Sequence, residues 1–369
     1  MLELQSITTN IESYEERSIG MLRAAATRLY SDPDVEVERF RRIMSQLRQE
    51  YDDSVVTQDP LSRFQTQVVQ TIPNIVEFAL TYSEGALQAM GYLTQGKPAP
   101  TLPMSLTNLL ANGFKIYLAE GGALKNAEFV ADLFALAFPN LEALAEHSPM
   151  AQGMLWGFVP RGDHLALKLY LNTRLGVGGT HRDRVLSMME RAKIDAVDCY
   201  DRIYESSTVA SFHGVGMDVS NHNSARLKLY TRIPREHLAD EVRRITASQA
   251  DWRADDMIEQ CERLMQTVDG PLLSDDIELA IGVASGSTPT FKCTAFFVTE
   301  SGSESSPILG VRKYLEDFNY DTGLLDEMAV AAGKGIESGA MENHPIHGVG
   351  IELGRSSIPK INLYLRPLI

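Results

Sequence analysis

The chain is 369 residues long, 44% hydrophobic and 22% charged, with 34 Lys and Arg against 49 Asp and Glu for a formal net charge of −15. This composition excludes disorder and collagen-like structure, and so acidic a balance excludes nucleic acid or an anionic membrane surface as the main partner, since both require a net basic face. Cys199, Cys261 and Cys293 make neither a disulfide framework nor a CxxC zinc pair, no run approaches the roughly 18 apolar residues of a membrane span, and no leader pattern is present; a cytoplasmic protein outside the membrane is expected.

Residues 1–70 carry helical runs such as IESYEERSIGMLRAAATRLY and are expected to cover the rest of the fold. At 72–93, IPNIVEFALTY and ALQAMGYL read as two strands across a short turn, and Glu77, flanked by the apolar Val76 and Phe78, points to the opposite face from them. Such a carboxylate either accepts a ring N–H from a bound arene or pairs with a lysine. After the helical 125–138 comes the hairpin of MLWGFV and HLALKLYLNTR, where Leu165, Leu167, Leu169 and Leu171 alternate with Lys168 and Tyr170. Gly176-Val177-Gly178-Gly179 lacks the Lys and Ser/Thr of a phosphate-binding loop and reads as a strand-to-helix turn.

Helical periodicity resumes over 180–204, and the hairpin of FHGVGMDV and SARLKLYTRIP then repeats the earlier pattern at an offset of 60 residues, from Lys168 to Lys228, bringing Arg226, Lys228 and Tyr230 into the same register. The helical 234–268 contains Asp255-Asp256-Met257-Ile258-Glu259, and Asp275-Asp276-Ile277-Glu278 follows; both read as solvated helix or loop acids, with no metal site. The fourth hairpin, IELAIGVAS with TFKCTAFFV, presents Thr294 and Phe296, or Lys292 if its register shifts by two. The last, HGVGIEL with IPKINLYLRPL, presents Lys360 and Tyr364.

Five hairpins alternating with helices predict an α+β chain forming a single domain over 1–369, with repeated ααββ units over 71–369 and about ten antiparallel strands. The Leu faces need the helices as cover, so the sheet closes into a barrel whose interior is charged and aromatic. Lys168, Arg226, Lys228 and Lys360 then converge and demand an anion, for which a diphosphate is the natural candidate. The plainer alternative is that they form the solvent face of amphipathic strands. Tyr170, Tyr230 and Tyr364 either fill a core or shield a carbocation left when that anion departs.

The K-x-Y at 168–170, the R-x-K-x-Y at 226–230, the inward Glu77 and the repeated unit resemble the aromatic prenyltransferases of the ABBA (PT-barrel) type, in the dimethylallyltryptophan synthase branch, over roughly residues 70–369. The resemblance implies an ABBA barrel around a ligand cavity, surrounded by a ring of helices. It implies dimethylallyl diphosphate as co-substrate, no metal cofactor, and a small-molecule indole acceptor, tryptophan or an indole alkaloid, in secondary metabolism. By this likeness Lys168, Arg226 and Lys228 hold the diphosphate, Tyr170, Tyr230 and Tyr364 shield the cation, and Glu77 engages the indole N–H. Two positions depart from it. Gln88 stands where an Arg is usual, leaving the diphosphate grip to be shared with Lys360, and Thr294 and Phe296 stand where a Gln or Lys and then a Tyr are usual. Prenylation of a phenol or tyrosine oxygen, and non-catalytic carriage of an anionic amphiphile, remain as alternatives. Monomer and homodimer are equally compatible with the sequence.

Overall fold

The computed structural model describes residues 2–49, 76–84, 86–94, 101–146, 154–161, 164–195, 197–204, 211–221, 224–247, 253–268, 273–285, 289–297, 307–332, 346–353 and 358–367. Residues 72–75 of the first expected hairpin, the turn residues 162–163, 222–223 and 354–357, and the side chain of Cys199 lie outside them.

Helices α1 (Leu2–Leu29) and α2 (Pro33–Gln49) precede strands β1 (Val76–Ser83) and β2 (Ala86–Thr94); α3 (Leu102–Ala119) and α4 (Leu124–Ala137) precede β3 (Met154–Arg161) and β4 (His164–Leu171). The order continues with α5 (His181–Arg191), α6 (Val197–Tyr204), β5 (Ser211–Asn221) and β6 (Ser224–Pro234), then α7 (Leu238–Thr246), α8 (Ala254–Val268), β7 (Leu273–Val283) and β8 (Thr290–Phe297). It ends with α9 (Pro307–Glu316), α10 (Gly323–Ala331), β9 (Ile346–Glu352) and β10 (Lys360–Leu365). The N-terminal helices, expected only as a cover, are therefore the helix pair of a first ααββ unit.

The strands hydrogen-bond in the cyclic order β1-β10-β9-β8-β7-β6-β5-β4-β3-β2, a closed antiparallel barrel of the ABBA type that leaves no open edge among the described strands. The two-residue period sets the faces. Leu165, Leu167, Leu169 and Leu171 of β4 and Ile361, Leu363 and Leu365 of β10 are each at most 1% exposed, and each contributes about 1.5–3 kcal/mol by burial. Lys168, Tyr170, Lys360 and Tyr364 fall on the other face and stay partly open.

Two sequence-predicted helical runs each break in two. Lys193 (φ 58°), in the left-handed region, lies between α5 and α6, and Arg253 (φ 39°) precedes α8. Thr180 opens α5 with a capping box, its side chain bonded to the Asp183 backbone while the Asp183 carboxylate accepts from the Thr180 backbone. The preceding glycine loop is a turn, as expected. Gly178 and Gly179 take φ values of 103° and 67°, and the Arg184 guanidinium donates to their carbonyls at 3.1 and 2.9 Å.

The chain divides into two compact units: Met1–Tyr92 with Asp255–Asp275 and Thr294–Ile369, and Leu93–Ala254 with Asp276–Cys293. In the first, Phe40 of α2 packs against Phe78 of β1 and Tyr92 of β2, with ring centroids 6.0 and 5.3 Å away. In the second, Trp156 of β3 docks on α3, its indole N–H donating to the Leu109 carbonyl at 2.7 Å over the space that Gly113 leaves open. Cys261 and Cys293 are buried free thiols. No described helix is long and apolar enough to cross a membrane.

Candidate functional site

In the second unit, strands β4, β5 and β6 bring charges together by register. Lys168 of β4 stands opposite Asp218 of β5, and Asp218 stands opposite Arg226 of β6. Lys228, two residues further along β6, reaches back so that its Nζ lies 3.1 Å from Asp218 Oδ2, while Lys168 Nζ lies 3.8 Å from Oδ1. The Arg226 guanidinium runs across β7 and hydrogen-bonds Thr290 of β8. It can do so because position 282 is glycine: a Cβ there would fall 2.7 Å from one guanidinium nitrogen and 2.8 Å from another.

Lys292 of β8, only 9% exposed, completes the cluster, and its Nζ sits 6.0 Å from the centre of the Tyr230 ring. The sequence admitted Lys292 only under a shifted register; here it is one of the cations acting on both Lys168 and Lys228. Tyr170 and Tyr230 meet each other at 5.9 Å between centroids, folded over Gly216, where a Cβ would come within 2.9 Å of the Tyr230 ring.

The protonation pattern follows from these contacts. Burial alone would raise Asp218, but Lys228, Lys168 and Arg226 hold its carboxyl far below the usual carboxylate range. Asp218 in turn is the largest influence on Lys168 and favours its charge, yet desolvation and the neighbouring Lys228, Lys292 and Arg226 outweigh it and bring the ammonium down to about 8. Desolvation also lowers Lys228, against the pull of Asp218. The cluster was expected to be purely cationic and to wait for an anion. It already contains one.

In the first unit, Glu77 of β1 is clamped. His347 Nδ1 approaches its Oε2 at 2.5 Å and Arg366 Nε donates to the same oxygen at 3.0 Å. Neither partner is a lysine, the pairing the sequence offered as the alternative to an arene N–H. Arg366 lies one step beyond the Phe78–Leu365 pair of the β1–β10 ladder, so register places it across from Glu77. His347 arrives differently: β10 Tyr364 pairs with Gly348 and the next residue, Leu365, pairs with Ile346, so His347 is the extra residue of a β-bulge, turned to the inner face. Although burial favours the neutral acid, His347 and Arg366 keep the Glu77 carboxyl down at about 2. Among the described residues both contacts fall on Oε2, which leaves Oε1 to accept a further hydrogen bond.

Phe296 of β8 lies against the His347 ring at 5.2 Å, over Gly348, where a Cβ would fall 2.9 Å from it. Tyr364 stands between Gly348 on β9 and Ala79 on β1, facing the same way as Lys360 and Asn362. Thr294 is fully buried on the inward face of β8 between Lys292 and Phe296, and its hydroxyl makes no hydrogen bond among the described residues. Lys360 has its own partner: its Nζ pairs with Glu352 Oε2 of β9 at 3.3 Å.

Gln88 departs from expectation. It is exposed, donates to the Ser83 carbonyl at 3.2 Å, and shares a strand face with Met90 and Tyr92, the face on which Phe40 packs. The two-residue period thus turns Gln88 toward the helices and takes it out of the diphosphate set. The acidic runs are also sorted. Asp255 and Asp256 form the first turn of α8, where the helix dipole favours them. Asp275 and Asp276 are exposed, but on strand β7 rather than in a loop, and Glu278 is buried on the inward face of that strand instead of solvated.

Three residues here escaped the sequence: Asp218, Arg366 and His347. The first two carried a signal, since Asp218 has the parity of Gly214 and Gly216 on β5, and Arg366 has that of Lys360 and Tyr364. His347 carried none, because its parity points outward until the bulge reverses it.

No family model matches the chain, and no curated protein does. Solved structures do. The chain superposes on 5-dimethylallyltryptophan synthase from Streptomyces coelicolor with a TM-score of 0.70 at 16% identity, covering 95% of this chain and 97% of that one. It superposes on 6-dimethylallyltryptophan synthase from Micromonospora olivasterospora, solved with DMASPP and Trp, with a TM-score of 0.69 at 18% identity over 96% and 97%. The prenyltransferase PriB, in a binary complex with product diphosphate, gives 0.70 at 15% identity over 96% of each chain. At these identities the likeness is one of fold.

Proposed function

We propose that the chain is an aromatic prenyltransferase that moves a dimethylallyl group from dimethylallyl diphosphate to an indole ring. The observation that carries this reading is the cluster of Lys168, Arg226, Lys228 and Lys292 with two tyrosine faces beside it, the pairing that ionisation of an allylic diphosphate calls for. The cations bind the diphosphate and stabilise it as a leaving group. The allylic C–O bond breaks with its electron pair going to diphosphate, and Tyr170 and Tyr230 attract the allyl cation with their ring faces and keep water off it. A ring carbon of the indole then supplies the electron pair of the new C–C bond, and loss of the proton from that carbon restores aromaticity.

Glu77 holds the acceptor by accepting its N–H. A carboxylate kept at about 2 is a permanent anion in the working pH range. It therefore orients and polarises an N–H donor well but is a poor base for a phenol O–H, which favours indole over oxygen prenylation. Arginine and lysines neutralise the diphosphate, so no metal is required. The solved neighbours named dimethylallyltryptophan synthases, one holding DMASPP and Trp, support this assignment.

Incubation with dimethylallyl diphosphate and a panel of indoles and phenols, read by mass spectrometry, should show a gain of one prenyl unit on indoles, with turnover persisting in excess chelator. A gain confined to phenols would overturn the indole reading, and complete loss with chelator the metal-free one. No gain on any acceptor, with the donor bound and recovered intact, would leave a carrier.

A further inference from the structure

Anion binding alone does not explain a carboxylate in the middle of the cations. Asp218 stands in register between Lys168 on β4 and Arg226 on β6, ion-paired with Lys168 and Lys228, while Lys292 faces the same lysines from β8. Four cations and one carboxylate leave a formal surplus of three positive charges. A fully ionised diphosphate monoester carries about three negative charges. The match to the ligand is therefore made with Asp218 counted in, and buried lysines deprived of a counter-ion would shed protons before any ligand arrived.

We propose that Asp218 is a resident counter-anion of the pocket: it keeps Lys168 and Lys228 protonated while the pocket is empty, and shares them with the diphosphate ester when that binds. The role rests on the diphosphate reading above. It makes Asp218 a positioning residue, acting through the lysines rather than on the substrate. The direction of the electrostatics agrees, since Asp218 raises both lysines while desolvation and the other cations, Arg226 and Lys292 included, lower them.

The test is proton linkage. Inorganic diphosphate is titrated calorimetrically into the wild type and Asp218→Asn at about pH 7.5, in buffers of unequal ionisation enthalpy, so that the ligand's own protonation cancels between the two proteins. Asp218→Asn should take up about half a proton more per diphosphate bound, because a lysine must recharge, and its affinity should fall with rising pH by up to about tenfold per unit, beginning below the pH at which the wild type weakens. Asp218→Glu, which keeps the charge, should restore wild-type linkage. Equal proton uptake in wild type and Asp218→Asn would overturn the role of Asp218 while leaving the diphosphate reading intact. Absence of diphosphate binding by the wild type would overturn the diphosphate reading and this role with it. Should Asp218→Asn be recovered folded but too unstable for calorimetry, diphosphate should raise its melting temperature more than that of the wild type; a rise no larger than the wild type's would also count against the proposal.

Discussion

At the scale of single residues, the two charged groups are built on opposite principles. Glu77 is one anion held by two partners, His347 and Arg366, whereas Asp218 is one anion spread among an excess of cations. The pH dependence follows. With its carboxyl at about 2, Glu77 cannot supply the acidic limb of a kcat/KM profile, and whatever stability its ionisation contributes is complete above the ordinary carboxylate range and is lost only as pH falls toward about 2. Removing one partner should change this: Arg366→Met should bring a new inflection into the profile above about pH 4, with kcat reduced by about tenfold to a hundredfold. Lys168 acts in the same direction in a more alkaline window. Its folded-state value of about 8 lies below that of the unfolded chain, so stability from this group rises as pH climbs through and beyond about 8, while donor binding, which needs the charged form, weakens; parallel melting and donor-KM titrations should diverge there. Lys228→Ala should raise KM for the prenyl donor by about tenfold to a hundredfold and leave the acceptor KM near its wild-type value, since equal effects would place Lys228 away from the diphosphate.

At the scale of elements, what makes room matters as much as what reacts. Three strand glycines lie where a neighbour's side chain crosses: Gly216 under Tyr170 and Tyr230, Gly282 under Arg226, and Gly348 under Phe296. Gly282→Ala should push the Arg226 guanidinium aside and raise the donor KM by about tenfold with the fold retained, measured alongside circular dichroism. Gly113 serves packing instead. A Cβ there would meet the Trp156 indole at 1.9 Å, so Gly113→Ala should lower stability by about 1–3 kcal/mol or more, seen as a drop in melting temperature. This scale also marks what the sequence could reveal. The Leu alternation of β4 and the repeat from Lys168 to Lys228 announced the strands, their faces and the core of the cation cluster, because side-chain period is a property of the backbone alone. Gln88 departs from the position the resemblance implies because it has the strand parity of the buried Met90 and Tyr92, and His347 was hidden because a bulge leaves no trace in an alternating pattern. The split of the long helical runs was also missed, since apolar spacing continues across the breaks near Lys193 and Arg253.

At the scale of the molecule, the formal charge of −15 coexists with a local surplus of cations on inward strand faces, so the acidic total excluded polyanionic partners without excluding a small anionic substrate. The same scale gives the ladder between β1 and β10 a meaning in time. Glu77 is bonded to His347 and Arg366 across 270 and 289 positions of chain. During synthesis the carboxylate emerges with the first hairpin and waits, unpartnered by these two, until the last strand leaves the ribosome. Lys168, Asp218 and Lys228 by contrast lie within 60 positions of one another and can meet long before the chain is finished. A nascent or C-terminally clipped chain would therefore acquire the Lys168–Asp218–Lys228 cluster before the Glu77–His347–Arg366 group.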